Sequence, residues 1–175
     1  TCDWIEEIGV PSLGTGEASG VVTVSRFGDG ELDSQYAEAK KILNAGDFAG
    51  AITMLQAGAN SDYSRKSAFR RKLALATLAL QGNQASIARP LLENLTEEIS
   101  RFSIDEWEPA LALDVWTNLH KCYEFLAAGS SNPGKLAMQQ QAEKVFEKIC
   151  RLDVGIALAS TGVKSKAKRV SGISK

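Results

Sequence analysis

An acidic cluster formed by Asp105, Glu106 and Glu108 is the feature closest to a catalytic site, because paired carboxylates can act as general acid and base. Such a pair needs a cleft and a shifted pKa, and no basic or metal-ligand partner stands at a telling spacing. Acids also favour the positive end of a helix, and Ser103 and Glu106 have the spacing of a capping box. We therefore expect these acids to begin a helix.

The chain has three cysteines, Cys2, Cys122 and Cys150, and one histidine, His120. An odd number of cysteines without a close pair predicts neither a disulfide framework nor a zinc site. A catalytic thiol would need His120 beside Cys122, but residues two apart on a helix point away from each other. We interpret both residues as structural, and the sequence predicts no catalytic residue, metal site or cofactor.

Three further patterns have ordinary explanations. The glycines at positions 14, 16 and 20 lack the preceding strand and the Lys-Ser/Thr ending of a phosphate loop, so a linker is favoured. The basic residues Lys66, Arg70, Arg71 and Lys72 are expected to form a solvated helix face that pairs with acids, or else to meet an acidic partner or sister subunit. Trp116 and Tyr123, seven residues apart, are expected in the core, although such aromatic residues also occur at interfaces.

Composition places these residues in a globular chain. The 175 residues have a net charge of −1 and are 44% hydrophobic, which fits one domain with a real core. The balanced charge argues against general nucleic-acid binding, and the lack of a run of ~18 apolar residues argues against membrane insertion. Because the chain begins at Thr1 without a signal-peptide pattern, we expect a fragment of a longer protein.

The spacing of apolar residues predicts an all-α fold of antiparallel helical hairpins, with about six to seven helices packed in the tetratricopeptide manner. The predicted helices begin near Glu31, Asp47, Ser61, Gln84, Ser103 or Pro109, and Asn132. The predicted core stripe of the fourth helix is Ile87, Leu91, Leu92, Leu95 and Ile99. A weak repeat aligns residues 42–55 with 78–91 at an offset of 36, so that Gly46 matches Gly82.

Two prolines leave alternatives open. Pro90 either kinks the fourth helix or lies in a first turn that begins near Ser86. Pro109 either interrupts a helix that begins at Ser103, or starts the main helix after a short turn over 103–107. Phe102 and Trp107 are placed as a hydrophobic staple across the capping box of Ser103 and Glu106.

Glycine and charge divide the chain into three parts. Residues 1–31 form a glycine-rich acidic segment of charge −5, expected to be a flexible linker with one possible short strand at 20–25. Residues 32–160 form the helical domain, with a charge of −1. Residues 161–175 form a basic tail of charge +5, expected to be disordered.

Three separated motifs carry a resemblance to a known family. They are Ala88-Arg89-Pro90-Leu91-Leu92-Glu93-Asn94-Leu95, then Glu106-Trp107-Glu108-Pro109-Ala110-Leu111-Ala112-Leu113, then Cys150-Arg151-Leu152-Asp153 with Ala157-Leu158. In this order they resemble the C-terminal domain of the TssA-like proteins of type VI secretion, the ImpA/VasJ family. The resemblance covers about residues 75–160, and Val154 stands where the family usually has proline.

The resemblance implies a structural role without enzymatic activity. Family members are cytoplasmic parts of the bacterial contractile injection machine, their C-terminal domains form ring-shaped homo-oligomers, and they act at the baseplate and the tail tube and sheath. The implied motif positions are Arg89, Pro90, Trp107, Glu108, Pro109, Trp116, Arg151, Leu152 and Asp153. We expect them first to organise the fold, with Trp107 as a buried anchor and Arg151 as a partner of Glu108 or Asp153, and leave open whether they also face a sister subunit.

Two rival functions remain. The first is a monomeric helical-repeat adaptor that holds a peptide in a groove. The second is an enzyme whose site the sequence does not display, which the absence of an acid–base or metal set disfavours.

Overall fold

Helices account for nearly all of the chain that the computed structural model describes, which is residue 27, residues 30–61 and residues 64–160. The α-helices are α1 (Gly30–Asn44), α2 (Phe48–Ala57), α3 (Arg65–Gln81), α4 (Ala85–Phe102), α5 (Ile104–Trp107), α6 (Pro109–Gly129), α7 (Asn132–Leu152) and α8 (Val154–Ser160), with a 3-10 turn at Gly58–Ser61. This described part contains no strand, which confirms the all-α class. The count exceeds the expected six to seven because α5 and α8 are separate short helices.

Some sequence predictions lie outside this part of the chain. They are the linker over 1–31 apart from its last residues, the short strand at 20–25, and the basic tail at 161–175. They stay predictions.

Consecutive helices pack as antiparallel pairs, α1 with α2, α3 with α4 and α6 with α7. Helix α3 lies at the centre and contacts α1, α2, α4 and α6. Its small buried residues Ala74, Ala76 and Ala79 allow neighbouring helices to approach closely.

The first two hairpins repeat each other at an offset of 37, so the predicted offset of 36 is wrong by one residue. In the first turn the amide of Asp47 donates to the Ile42 carbonyl at 3.2 Å, and in the second the amide of Gln84 donates to the Ala79 carbonyl at 2.8 Å. The left-handed residue before each amide is Gly46, with φ +94°, or Asn83, with φ +57°. Gly82 therefore corresponds to Ala45 and not to Gly46.

Burial follows the same offset. The matched core pairs are Leu32 and Phe69, Tyr36 and Leu73, Ala39 and Ala76, Ala51 and Ala88, and Leu55 and Leu92, every one of them buried. The two hairpins are thus copies of one packing unit, as in helical repeat proteins.

The helix boundaries confirm some predicted caps and correct others. Asp47 caps α2 by accepting the Gly50 amide at 2.8 Å, as expected. Helix α3 is capped by Ser64 and not by Ser61 or Asp62, because Ser64 accepts the Ser67 amide at 3.0 Å.

The structure decides between the alternative positions that the sequence left open for Pro90 and Pro109. Pro90 is the sixth residue of α4 and lies inside the helix, whereas Pro109 is the first residue of α6, where its missing amide costs nothing.

The predicted stripe of α4 is wrong at Ile87, which is 45% exposed. The buried positions are Ala85, Ala88, Leu92, Leu95 and Ile99.

The predicted capping box at Ser103 is also wrong. Ser103 has φ +47° and its amide donates to the Ile99 carbonyl, so it closes α4 as a left-handed cap. Its side chain makes no capping hydrogen bond to α5. The left-handed backbone turns the chain away from the geometry that a capping box requires.

Candidate interaction surfaces

The only thiol and imidazole that stand close in sequence are both buried and do not work together. Cys122 is fully buried, and its Sγ donates to the Ala85 carbonyl at 3.3 Å. Burial raises the pKa of this thiol to about 11, with a smaller opposing effect of Arg89, so the nucleophilic thiolate is disfavoured at neutral pH. His120 instead lies against the Phe146 ring and 3.6 Å from Glu124 Oε2. Both residues lie in the core, and their interpretation as structural stays a prediction.

The expected core position of Trp116 and Tyr123 is confirmed as well, since both are buried. The Tyr123 hydroxyl donates to Glu93 Oε1 at 2.8 Å, and burial together with this hydrogen bond raises the pKa of Tyr123 strongly. The Lys148 ammonium lies 5.5 Å from the centre of the Trp116 ring. Trp116 therefore joins α6 to α7 inside the subunit.

The basic residues of α3 divide between surface and core. Lys66 and Arg70 both pair with Glu108, at 2.8 and 3.1 Å, and Lys72 pairs with Glu98 at 2.6 Å. These contacts match the expected pairing with acids. Arg71 is the exception, since it is only 4% exposed.

Arg71 joins α3 to the first hairpin. Its Nη1 donates to Gln35 Oε1 at 2.7 Å and to the Leu55 carbonyl at 3.0 Å. The contact passes close to Gly58, where an added Cβ would overlap both Gln35 Oε1 and Arg71 Nη1. A buried charge of this kind requires such partners, which the sequence pattern alone did not reveal.

The prediction that Trp107 is a buried anchor is wrong. Its side chain is 58% exposed, and its Nε1 donates to the Phe102 carbonyl at 3.0 Å. The physical reason lies in Glu108, which Lys66 and Arg70 hold at the junction of α5 and α6. That junction faces α3, and the indole of Trp107 lies along the C-terminal end of α4. The helix therefore does not cover it.

Trp107 lines a groove of about 660 Å³ between α3, α4 and α5, here called the α3–α4 groove. Its lining is Arg65, Lys66, Ala68, Phe69, Lys72, Asn94, Glu97, Glu98, Arg101, Phe102, Ile104, Trp107 and Leu111. Phe69, Ile104 and Leu111 are buried, whereas Phe102 is 44% exposed. The groove thus has an apolar floor with two exposed aromatic side chains.

The rim of the groove is cationic. Four lining residues are basic and two are acidic. Lys66 and Lys72 have acidic partners, whereas Arg65 and Arg101 make no ion pair within the described residues. The Arg65 guanidinium lies 5.8 Å from the centre of the Phe102 ring, so charge and aromatic surface adjoin.

A second surface lies at the end of α7 and along α8, here called the C-terminal patch. It consists of Leu152 (37% exposed), Val154 (62%), Ile156 (37%) and Leu158 (54%). Ala157 is fully buried and holds α8 against α7. Because α8 has no charged residue, nothing on this helix disfavours burial of the patch.

The motif residues beside this patch act differently from the expectation. Asp153 Oδ1 accepts the Ile156 amide at 3.0 Å and so caps α8. Arg151 is exposed and makes no ion pair with Glu108 or Asp153 in the described part of the chain. Of the motif in α4, Arg89 lies 3.7 Å from Glu93 and Pro90 is exposed.

Three smaller observations concern the rest of the described residues. Phe125 (51% exposed) and Leu136 (59%) stand on either side of the turn between α6 and α7 and are here called the hairpin-tip residues. Within the described ranges, no three or more His, Cys, Asp or Glu side chains are placed to hold a metal ion. Nor does any helix there have the length and apolar character needed to cross a membrane.

Repeated antiparallel hairpins with exposed apolar surfaces define a helical-repeat protein suited to protein–protein contacts. A family model described as "Type VI secretion, EvfE, EvfF, ImpA, BimE, VC_A0119, VasJ" matches residues 1–119. The match covers more than half of the chain, and the protein belongs to this type VI secretion family. Comparisons with curated proteins and with solved structures found no match in either set.

The extent of the match differs from the resemblance at about residues 75–160. It includes the first 74 residues and ends before the motif at 150–153. The motifs that contain Pro90 and Trp107 lie inside it. The N-terminal acidic segment is therefore part of the unit that the family model describes.

Proposed function

We propose that this protein is a structural, non-enzymatic component of the type VI secretion machine that assembles into a ring-shaped homo-oligomer in the cytoplasm. In this role it organises the baseplate and the tail tube and sheath. Membership of the type VI secretion family supports the setting. The observation that carries self-assembly is the C-terminal patch.

The composition of the patch suits a permanent contact between copies. Four large apolar side chains are exposed along Leu152–Leu158, and α8 carries no charge. Fully burying such a side chain contributes roughly 1.5–3 kcal/mol. A second copy of an almost neutral helical domain meets little electrostatic repulsion on approach.

The position of the patch favours a head-to-tail arrangement. Leu136, a hairpin-tip residue, and Leu152 belong to the same helix and lie about 24 Å apart along its axis, at 1.5 Å per residue. A chain with exposed apolar side chains at opposite ends of one helix can join copies heterologously, and a rotation that closes produces a ring. In this arrangement the C-terminal patch of one copy covers the hairpin-tip residues of the next.

Charged substitutions test this interface. We expect Val154→Asp with Leu158→Asp to reduce the assembly to the monomer in light scattering, because two carboxylates cannot be buried there without partners. Ile87→Asp, at a 45% exposed apolar position on α4, is the matched control and leaves the mass unchanged. Equal masses for the patch variant and the unmodified assembly would refute the proposed interface.

A peptide-binding adaptor is the second candidate, and the α3–α4 groove is the observation that favours it. Exposed Phe102 and Trp107 form an anchor site of the type that takes apolar side chains of a partner. A monomer whose melting temperature rises with an acidic, apolar peptide would support this function. Absence of any such rise would exclude it.

A further inference from the structure

We propose that the acidic segment at residues 3–8 of this chain docks into the α3–α4 groove of the same molecule. The segment consists of Asp3, Trp4, Ile5, Glu6, Glu7 and Ile8. This contact does not depend on ring formation.

The α3–α4 groove exposes aromatic side chains, so covering it with apolar groups is favourable. Trp107 and Phe102 are 58% and 44% exposed, and the bond from Trp107 Nε1 to the Phe102 carbonyl holds the indole in place. Because the floor of Phe69, Ile104 and Leu111 is formed already, an occupant has little to reorganise. Apolar side chains that enter here remove aromatic surface from water.

The basic lining of the groove favours an acidic segment as its occupant. The groove has two more basic than acidic lining residues, and Arg65 and Arg101 make no ion pair within the described part of the chain. In the segment, apolar residues stand at 4, 5 and 8, and acids stand at 3, 6 and 7. This spacing separates an apolar from an acidic face on one helical turn, which matches the floor and rim of the groove.

The connection has sufficient reach. Phe27 is held at the start of α1 by the Tyr36 ring and by a 2.9 Å bond from its amide to Asp33. The 18 residues between Ile8 and Phe27 span up to about 60 Å when extended, well beyond the roughly 35 Å width of a domain of this size. The family model also includes both the segment and the entire groove.

Cys2, next to the segment, allows a direct test in the full chain. In a Cys150→Ser background, Glu97→Cys puts a thiol on the groove and Gln140→Cys puts a control thiol on the exposed face of α7. Under mild oxidation we expect an intrachain disulfide between Cys2 and position 97 to form about tenfold faster than one to position 140, because docking raises the effective concentration. Equal rates at the two positions would overturn the proposal, as would a bond that joins two chains.

Charge reversal provides the second measurement. Replacing Asp3, Glu6 and Glu7 by lysine in the Glu97→Cys protein is expected to slow cross-linking about fivefold, since the segment then meets Arg65 and Arg101 with like charge. The Gln140→Cys rate is expected to stay unchanged in the same background. An unchanged rate at position 97 would contradict the charge argument. The native mass, measured separately, shows whether the ring proposal stands independently of this result.

Discussion

Arg71 shows how one residue can determine the contact between two helical units. Its guanidinium bonds to Gln35 on α1 and to the Leu55 carbonyl on α2, although it belongs to α3. The sequence predicted that Arg71 belongs to a solvated basic face with Lys66, Arg70 and Lys72. Those three residues do pair with acids, whereas Arg71 is buried. Which member of a basic run is buried depends on the neighbouring helices, and the periodicity of α3 does not contain that information.

Gly58→Ala tests this contact. A Cβ at this position overlaps Gln35 Oε1 and Arg71 Nη1, while the backbone φ of −72° suits alanine. We expect the free energy of unfolding to fall by about 1–3 kcal/mol, because a buried charge would lose a hydrogen bond. Gly129→Ala, where a Cβ contacts nothing, is the control and should be neutral or slightly stabilising in urea unfolding. Equal effects of the two substitutions would contradict the proposed role of Arg71.

The pKa of Cys122 predicts a loss of stability at alkaline pH. Burial raises the pKa of the Cys122 thiol to about 11 in the folded chain, whereas the pKa of an exposed thiol lies near 9.0. Ionisation above pH 9 therefore favours the unfolded chain, and the unfolding free energy falls between pH 9 and 11 by an amount on the order of 2 kcal/mol.

Urea titrations at pH 8 and pH 10.5 measure this effect. Other groups also titrate in this interval, so the comparison is with Cys122→Ala, which should lose less stability over the same range. A Cys122→Ala protein with the pH dependence of the unmodified chain would show that the thiol does not contribute.

At the scale of elements, the two N-terminal hairpins share one turn geometry at an offset of 37 residues. The left-handed position is glycine in the first turn and asparagine in the second, Gly46 and Asn83. Because Gly82 directly precedes Asn83, matching glycine to glycine pairs Gly46 with Gly82 and gives an offset that is one residue too short. The backbone conformation, and not the glycine, is the repeated feature.

Substitution of these two residues tests the equivalence. Gly46→Ala should cost about 1 kcal/mol, because a Cβ disfavours the left-handed conformation. Asn83→Gly should be neutral or stabilising by a few tenths of a kcal/mol for the same reason. Thermal unfolding of the two variants measures both effects, and destabilisation by Asn83→Gly would argue against a shared turn.

Much of the helical architecture could be predicted from the sequence. The predictions that were wrong failed for local physical reasons. Apolar spacing located the long helices, and Asp47 and Pro109 marked helix starts where such residues are favoured. The capping box predicted at Ser103 was wrong because a positive φ at Ser103 leaves no trace in a sequence pattern. The alternative of a short turn over 103–107 followed by the main helix from Pro109 is confirmed. The exposure of Trp107 was missed because it depends on the pairing of Glu108 with Lys66 and Arg70 on another helix, which the sequence pattern does not show.

The C-terminal patch had a sequence signal that periodicity did not reveal. Residues 154–160 contain no charge, and a surface helix without charge is unusual for a protein with 23% charged residues. In the structure Ala157 is the buried residue of α8, and Val154, Ile156 and Leu158 are exposed. The α3–α4 groove is lined by residues of four helices, so the sequence pattern of any one helix does not predict it.

At the scale of the whole molecule, the chain is an all-helical member of a type VI secretion family. It exposes apolar side chains at the C-terminal patch, at the hairpin-tip residues and in the α3–α4 groove. A nearly neutral helical body and an uncharged terminal helix favour contact between identical copies. We propose that the C-terminal patch joins copies, while the α3–α4 groove receives the acidic segment of its own chain. The two surfaces therefore have separate tests.

The native mass of the unmodified 175-residue chain, measured over a range of concentrations, tests the central claim most directly. Self-assembly into a ring predicts one discrete multiple of 18.8 kDa that persists on dilution and appears as closed rings in electron microscopy. A single species of 18.8 kDa at every concentration would contradict the account.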